Sequence, residues 1–249
     1  MDRLLWISMS GAKENFHSLG VRSNNLANAN TTGFKADFEN TRAMSIFANA
    51  YPTRAFAMTE RPGYNMEGGA RQTTGRALDV AIRDQDGFLA ITDDTGAEAY
   101  TRFGNLVMDS EGVLKTITGH DVLDEDGLQI VLPAQLEAVQ INRDGVISGR
   151  PLGADANVVE EFARIKLVRA QPQDLEKGYD GFFHTRNGTA LAFDDTVQLD
   201  SGMLEASNVN PVEELTSLIR IQRQYDTQVK MMQTAKEMDE QQNTLLRYS

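Results

Sequence analysis

The sequence contains no cysteine. Disulfides and thiolate metal sites are thereby excluded, and an oxidising compartment is tolerated. No run of eighteen apolar residues occurs, so no helix is expected to span a membrane. The start, Met1-Asp2-Arg3-Leu4-Leu5-Trp6, has no basic segment leading into a long apolar one, and it does not read as a cleaved secretory signal. Histidine is scarce. His17, His120 and His184 show no HExxH spacing or other ligand set; His17 reads as a helix-surface residue and the other two as turn residues. No G-x-S-x-G motif supports a nucleophile. Carboxylate neighbours such as Asp194 and Asp195 are too common in an acidic stretch to mark a glycan-cleaving pair. Asp84 to Gly87 and Asp124 to Gly127 lack the bidentate Glu of a calcium loop and read as turns. No catalytic, cofactor-binding or metal-ligating residue is therefore assigned, and no cofactor or small-molecule substrate is expected.

Basic charge is lacking where acid accumulates. Residues 76–206 carry 11 Lys and Arg against 24 Asp and Glu, while the rest of the chain carries 13 against 12. The formal net charge of −12 thus resides in the middle of the chain. Nucleic-acid binding, which needs a basic face, is not expected. A solvated acidic domain is the plain reading.

What is present lies first at the two ends. Leu5, Met9, Ala12, Phe16, Leu19, Ser23 and Leu26 alternate spacings of four and three, a heptad seam with one polar position. The stretch Ser23-Asn24-Asn25-Leu26-Ala27-Asn28-Ala29-Asn30-Thr31-Thr32-Gly33 then ends the helix. Asn and Thr side chains compete for backbone hydrogen bonds, and Gly33 suits a left-handed cap. Asn25 and Asn28 are expected to satisfy backbone groups left open there. At the other end, Asn210-Pro211 reads as an N-cap and first turn, and Glu213 and Glu214 favour the helix dipole. Leu215, Leu218, Gln222, Tyr225, Val229 and Met232 continue a heptad, after which the pattern drifts to Ala235 and Met238. Each helix alone is marginal in water, so the two are expected to pair antiparallel.

Between them the periodicity changes. Residues 36–75 contain Ile46 as their sole Leu, Ile or Val, and Pro52, Pro62, Gly63, Gly68, Gly69 and Gly75 interrupt them. A short helix around Phe38 to Ala50 within an extended connector is the expectation. From Leu78 short apolar runs alternate with Gly, Asp and Asn turns. They include Val80 to Ile82, Phe88 to Ile91, Tyr100 to Phe103, Leu106 to Met108, Val113 to Thr116, Leu128 to Leu132 and Phe162 to Val168. Asp124 to Gly127, Asn142 to Gly145 and Asn187-Gly188 carry hairpin-turn chemistry. An antiparallel barrel or sandwich follows, with strand signal fading after Phe183. The fold class is therefore α+β: long terminal helices paired in a coiled-coil-like axial core (1–35 with 206–249), an extended arm (36–75) and a β-rich outer domain (76–205).

Asn24, Asn25, Leu26, Ala27, Asn28, Thr31, Gly33, Phe34 and Lys35 together resemble the N-terminal signature of the flagellar basal-body rod and hook family. Gly202, Leu204, Glu205, Ser207, Asn208, Val209, Asn210 and Val212 resemble its C-terminal signature. Gln222, Arg223, Tyr225, Lys230, Gln233 and Thr234 resemble the helix that follows. Leu78 to Ile82, Gly87-Phe88, Tyr100-Thr101-Arg102 and Gly104 resemble its middle domain; Arg83-Asp84 and Leu89 depart from the family pattern. The resemblance implies a structural, non-enzymatic subunit of the basal-body rod in the periplasmic space, self-assembling through its terminal helices to transmit torque. It implies other rod subunits and the flagellar export apparatus as partners. The assembly seam is then Leu5, Met9, Ala12, Phe16, Leu19, Leu26, Leu215, Leu218, Tyr225, Val229 and Met232. The residues alone leave open an adaptor that dimerises through its helices, and an enzyme.

Overall fold

The computed structural model describes residues 2–48, 51–59, 63–133, 136–153 and 159–247. Two helices, α1 (Asp2–Ala27) and α2 (Pro211–Arg247), flank a long β region whose pairings are antiparallel. The chain divides into two compact units. Unit 1 is Met1–Ala29, Ala36–Asn65 and Val209–Ser249; unit 2 is Asn30–Lys35 and Met66–Asn208.

In unit 1 the helices run antiparallel. Arg22 meets Glu214 at 2.9 Å, the Phe16 and Tyr225 rings lie 6.5 Å apart, and Gly11 faces Gln228, so positions rise on α2 as they fall on α1. Asn210 caps α2: its Oδ1 accepts the Val212 N–H at 3.2 Å and the Glu213 N–H at 3.4 Å, as expected of an N-cap. The stretch expected to hold a short helix is a strand instead. Thr41–Ala48 pairs with Tyr51–Thr59 in a long hairpin, and Asp37–Phe38 pairs with Gly63–Tyr64. Thr41 to Ser45 are exposed, so nothing selects an apolar face that would give this strand a two-residue period. Pro52 falls beside the register shift between Ile46 and Phe47, a position where a missing N–H is tolerated. Asn49, Ala50 and Pro62 of the expected connector lie outside the described residues.

Unit 2 holds the apolar core: Val80, Leu89, Ile91, Leu106, Leu114, Val122, Ile130, Ile147, Ile165, Leu167, Val197 and Leu199 are buried together. Each such burial contributes roughly 1.5–3 kcal/mol. The strands form several small sheets. The largest has five strands, in the order Leu167–Arg169, Gly87–Thr92, Glu98–Thr101, Phe183–Thr185, Leu175–Lys177. The expected strand from Phe162 to Val168 is two strands. Glu160–Arg164 pairs with Val146–Pro151, and Leu167–Arg169 pairs with Gly87–Thr92. The Ile165 N–H goes to Gly145 and the Lys166 N–H to Leu123 at the crossing from one sheet to the other. The fading of strand signal after Phe183 is also corrected: Leu199–Ser201 pairs with Val80–Ile82, and Met203–Glu205 with Arg71–Thr73. Such strands of three residues are too short to show a period.

An eight-residue spacing links Leu106, Leu114, Val122 and Ile130, all buried. Leu114 donates its N–H to Ile130, Ile130 to Val122, and Val122 to Leu114, a closed ring of backbone hydrogen bonds at 2.9–3.1 Å. Asp109 to Gly112, Thr116 to Gly119 and Asp124 to Gly127 make the turns between them, each ending on a positive-φ glycine. The Asp109 carboxylate accepts the Glu111 and Val113 N–H groups, and Asp124 accepts those of Asp126 and Leu128.

Candidate assembly site

The inner face of the helix pair combines part of the predicted apolar seam with small and polar residues. Among the described residues of α1, Ser8, Ala12 and Asn25 are buried, with Gly11, Asn15, Ser18, Leu19, Arg22 and Leu26 half-buried beside them. On α2 Glu214, Ser217 and Ala235 are buried, with Leu218, Ile221, Tyr225, Gln228, Val229 and Met232 half-buried. Small residues let the helices approach, and this turns the larger side chains outward. Leu5 is 38% exposed, Met9 45%, Phe16 69% and Leu215 51%; Trp6, Val212 and Ile219 are exposed as well. Ala12, Leu19, Leu26, Leu218, Tyr225, Val229 and Met232 of the predicted seam thus face inward wholly or in part. Leu5, Met9, Phe16 and Leu215 form an outer edge.

Polar groups complete the inner face. Glu214 accepts two hydrogen bonds from Arg22, at 2.9 and 3.1 Å, and one from Asn25 at 3.3 Å. Asn25 was expected to close the helix end. Instead its amide pairs with the Asp37 peptide, donating to the carbonyl at 2.8 Å and accepting the N–H at 2.9 Å. It thereby replaces a strand neighbour for a chain that has just turned back. Asn28 does close the helix, donating from its side chain to the Asn24 carbonyl at 3.0 Å. Asn24 itself is exposed. Ser18 and His17 both reach Glu39, at 2.8 and 3.0 Å, and Glu14 bonds Thr59 of the hairpin.

The second half of the signature turn belongs to unit 2 and is held by a buried charge cluster. Lys35 donates to Glu205 at 2.8 Å and to the Glu67 carbonyl at 2.7 Å. Arg102 meets the other Glu205 oxygen at 2.7 Å. The side chains of Lys35, Arg102 and Glu205 are 0%, 2% and 3% exposed. Glu205 also accepts the Gly69 N–H, at 3.0 Å. Arg102 spends its remaining donors on the carbonyls of Ile82, Asp84, Gln85 and Gly87. Burial pushes the Glu205 carboxyl up, but the charges of Arg102 and Lys35 outweigh it and hold the group below its ordinary range. Burial, then repulsion from Arg102, pushes the Lys35 ammonium down.

Gly33 has φ 66°, the left-handed conformation expected of it. Its N–H donates to the Glu205 carbonyl at 2.7 Å, and a Cβ there would collide with the Arg102 carbonyl. The Thr31 carbonyl accepts the Phe34 N–H at 3.3 Å. Lys177 lies 4.0 Å over the Phe34 ring and donates to the Lys35 carbonyl at 3.0 Å. From the C-terminal signature, Asn208 donates its backbone N–H to Phe34 and its side chain to Glu67. Ser207 is half-buried, and in unit 1 Val209 is buried next to the cap residue Asn210. Sequence reasoning placed Lys35, Arg102 and Glu205 in separate signature segments without bringing them together. The available signal was one charged residue in each of three otherwise uncharged signature segments.

The remaining chemistry is sparse. His120 packs edge-on against Phe182. His184 pairs with Asp180 at 2.9 Å, and with Asp93 these residues offer three ligand atoms within 4.8 Å of one another. Turn N–H groups already engage both carboxylates. Among the described residues no helix is long and apolar enough to cross a membrane.

Three family models match the chain. Residues 5–35 match "Flagella basal body rod protein", 82–149 match "Flagellar hook protein FlgE/F/G D1 domain", and 200–245 match "Flagellar basal body rod FlgEFG protein C-terminal". The chain is 36% identical to flagellar basal-body rod protein FlgF of Salmonella typhimurium, over the full length of both. It is 35% identical to FlgF of Caulobacter vibrioides over 96% of this chain and 95% of that one. Flagellar basal-body rod protein FlgG of Bacillus subtilis is 33% identical, with 96% and 97% covered.

Proposed function

The chain belongs to the flagellar basal-body rod protein family, and from that premise we propose how its two units serve a rod. It is a structural subunit of the basal-body rod, closer in kind to FlgF than to FlgG, and it has no catalytic role. Its partners are other rod proteins. Unit 1 acts as the assembling, axial part and unit 2 as the outer part, and torque passes through the packed helices. The α1–α2 pairing is read as coiled-coil-like. The alternating spacing of the inward positions Leu218, Ile221, Tyr225, Gln228, Met232 and Ala235 supports this. The export apparatus, as a carrier of the unfolded chain into the periplasmic space, belongs to the same proposal.

One observation carries the assembly reading. Among the described residues of unit 1, the buried apolar side chains are Ala12, Val209 and Ala235, whereas Leu5, Trp6, Met9, Phe16, Leu215 and Ile219 are exposed. Helices that hide small residues and show large apolar ones have their main apolar contacts still to make. Burying Leu5, Phe16 and Leu215 against neighbours would contribute roughly 1.5–3 kcal/mol each.

The test is Phe16→Asp with Leu215→Asp. The purified monomer should melt within about 0.5 kcal/mol of the parent, because neither side chain is buried in it. Rods in electron micrographs of basal bodies should be absent, and cells non-motile. Normal rods would refute the role assigned to the outer edge.

A further inference from the structure

We propose that Glu205 is a latch for the signature turn: residues 30–35 settle onto unit 2 only when the C-terminal Met203–Glu205 strand places a carboxylate between Lys35 and Arg102. The inference is independent of the rod reading, because it rests only on chain order, burial and charge within unit 2.

Lys35 and Arg102 are two cations in one dry site, and among the described residues Glu205 is the anion that each of them meets. Without that carboxylate the site holds two uncompensated like charges, an arrangement a protein interior relieves by expelling one. The two cations are unequal. Arg102 is anchored by four backbone carbonyls from Ile82 to Gly87, next to the core. Lys35 has the Met66 and Glu67 carbonyls, on a segment that Glu205 itself pins through Gly69. Lys35 is therefore the member that leaves.

Its departure loosens the turn, whose other ties come from the same C-terminal segment and from Lys177, which lies over the Phe34 ring and donates to the Lys35 carbonyl. Gly33 donates to the Glu205 carbonyl and Phe34 accepts from Asn208. The Lys35–Glu205 contact spans 170 residues and the Arg102–Glu205 contact 103. A turn within the first thirty-five residues thus waits for nearly the last residues of its unit. Closing so long a loop is the entropically late step of folding. The part of the core between Leu106 and Leu132 does not depend on it, because its ring of Leu114, Val122 and Ile130 closes locally.

Hydrogen exchange read by mass spectrometry on the full chain tests this with Glu205→Gln and with Lys35→Met/Glu205→Gln. In Glu205→Gln, peptides covering residues 30–35 and 66–69 should exchange about tenfold faster or more, while peptides covering 106–132 stay within about twofold. In the double variant, which removes one cation along with the anion, protection of 30–35 should return to within about threefold of the parent. Unchanged protection of 30–35 in Glu205→Gln would overturn the latch. A uniform loss across unit 2 that the double variant does not reverse would also do so, since the carboxylate would then be a general stabiliser. A double variant as open as the single one would show that charge is not the cause. Should Glu205→Gln fail to accumulate folded, a double variant with parent-like protection at 30–35 still supports the latch, and an unfolded double variant overturns it.

Discussion

Unit 2 and unit 1 treat apolar side chains in opposite ways. In unit 2, Leu89, Leu106, Leu114, Ile147, Ile165 and Leu167 have no exposed surface, and short strands close around them. In unit 1 the helix pair is closed by Ser8, Gly11, Ala12, Asn25, Glu214 and Ala235, and Phe16 and Leu215 remain exposed. Apolar burial is thus concentrated in unit 2. On the proposed assembly reading, unit 1 completes its burial against neighbouring subunits. A subunit that must both fold and polymerise can thus separate the two tasks, giving folding to the β region and polymerisation to the helices.

That comparison breaks most sharply at the core. Leu114→Ala removes a side chain from the hydrogen-bonded ring and should destabilise unit 2 by about 2–5 kcal/mol in urea melts. The same truncation at Leu5 should change monomer stability by less than about 0.5 kcal/mol. Equal losses at both positions would mean that the exposed edge already contributes to the free chain.

Gly33→Val is next. It must hold a β-branched residue at φ 66° with its Cβ directed at the Arg102 carbonyl, at a cost of roughly 1–2 kcal/mol from the backbone alone. The loss should show as a lower melting midpoint of unit 2, with the helix content of α1 and α2 unchanged. An unchanged midpoint would show that the turn can undock freely.

Acid sharpens the contrast from another side. Glu205, Asp93 and Asp194 are held below the ordinary carboxylate range. For Glu205 and Asp93 desolvation acts in the opposite sense and is outweighed, by the charges of Arg102 and Lys35 at Glu205 and by the Thr95 and Ala97 hydrogen bonds at Asp93. Thr196 hydrogen bonds lead at Asp194. A depressed folded-state pKa contributes stability that is present above the unfolded value, about 4, and is lost as pH falls through the folded one. The melting midpoint of unit 2 should hold from neutral pH down to about 5 and fall below about 4, with Glu205→Gln losing part of that fall. A midpoint flat down to about pH 2 would contradict the ion-pair account.

The devices that act within a few residues were legible. The Asn210 cap, Pro211 in the first turn, the left-handed Gly33, the Asp124 to Gly127 turn and the two long helices each depend on neighbours one to four positions away, so residue order alone states them. Residue order also carried the division between acidic middle and balanced ends, since charge needs no geometry to be counted. Three things waited for the tertiary structure. Which side of each heptad turns inward depends on how closely two helices approach, and Ser8, Gly11 and Ala12 rather than Leu5, Met9 and Phe16 permit that approach. The hairpin of Thr41–Ala48 with Tyr51–Thr59 leaves Thr41 to Ser45 exposed, so its ladder there is set by backbone pairing that leaves no apolar period. The meeting of Lys35, Arg102 and Glu205 joins residues 103 and 170 positions apart. Like charges become neighbours in a buried site only because the folded backbone around them supplies carbonyls and one carboxylate, and no spacing along a chain encodes that.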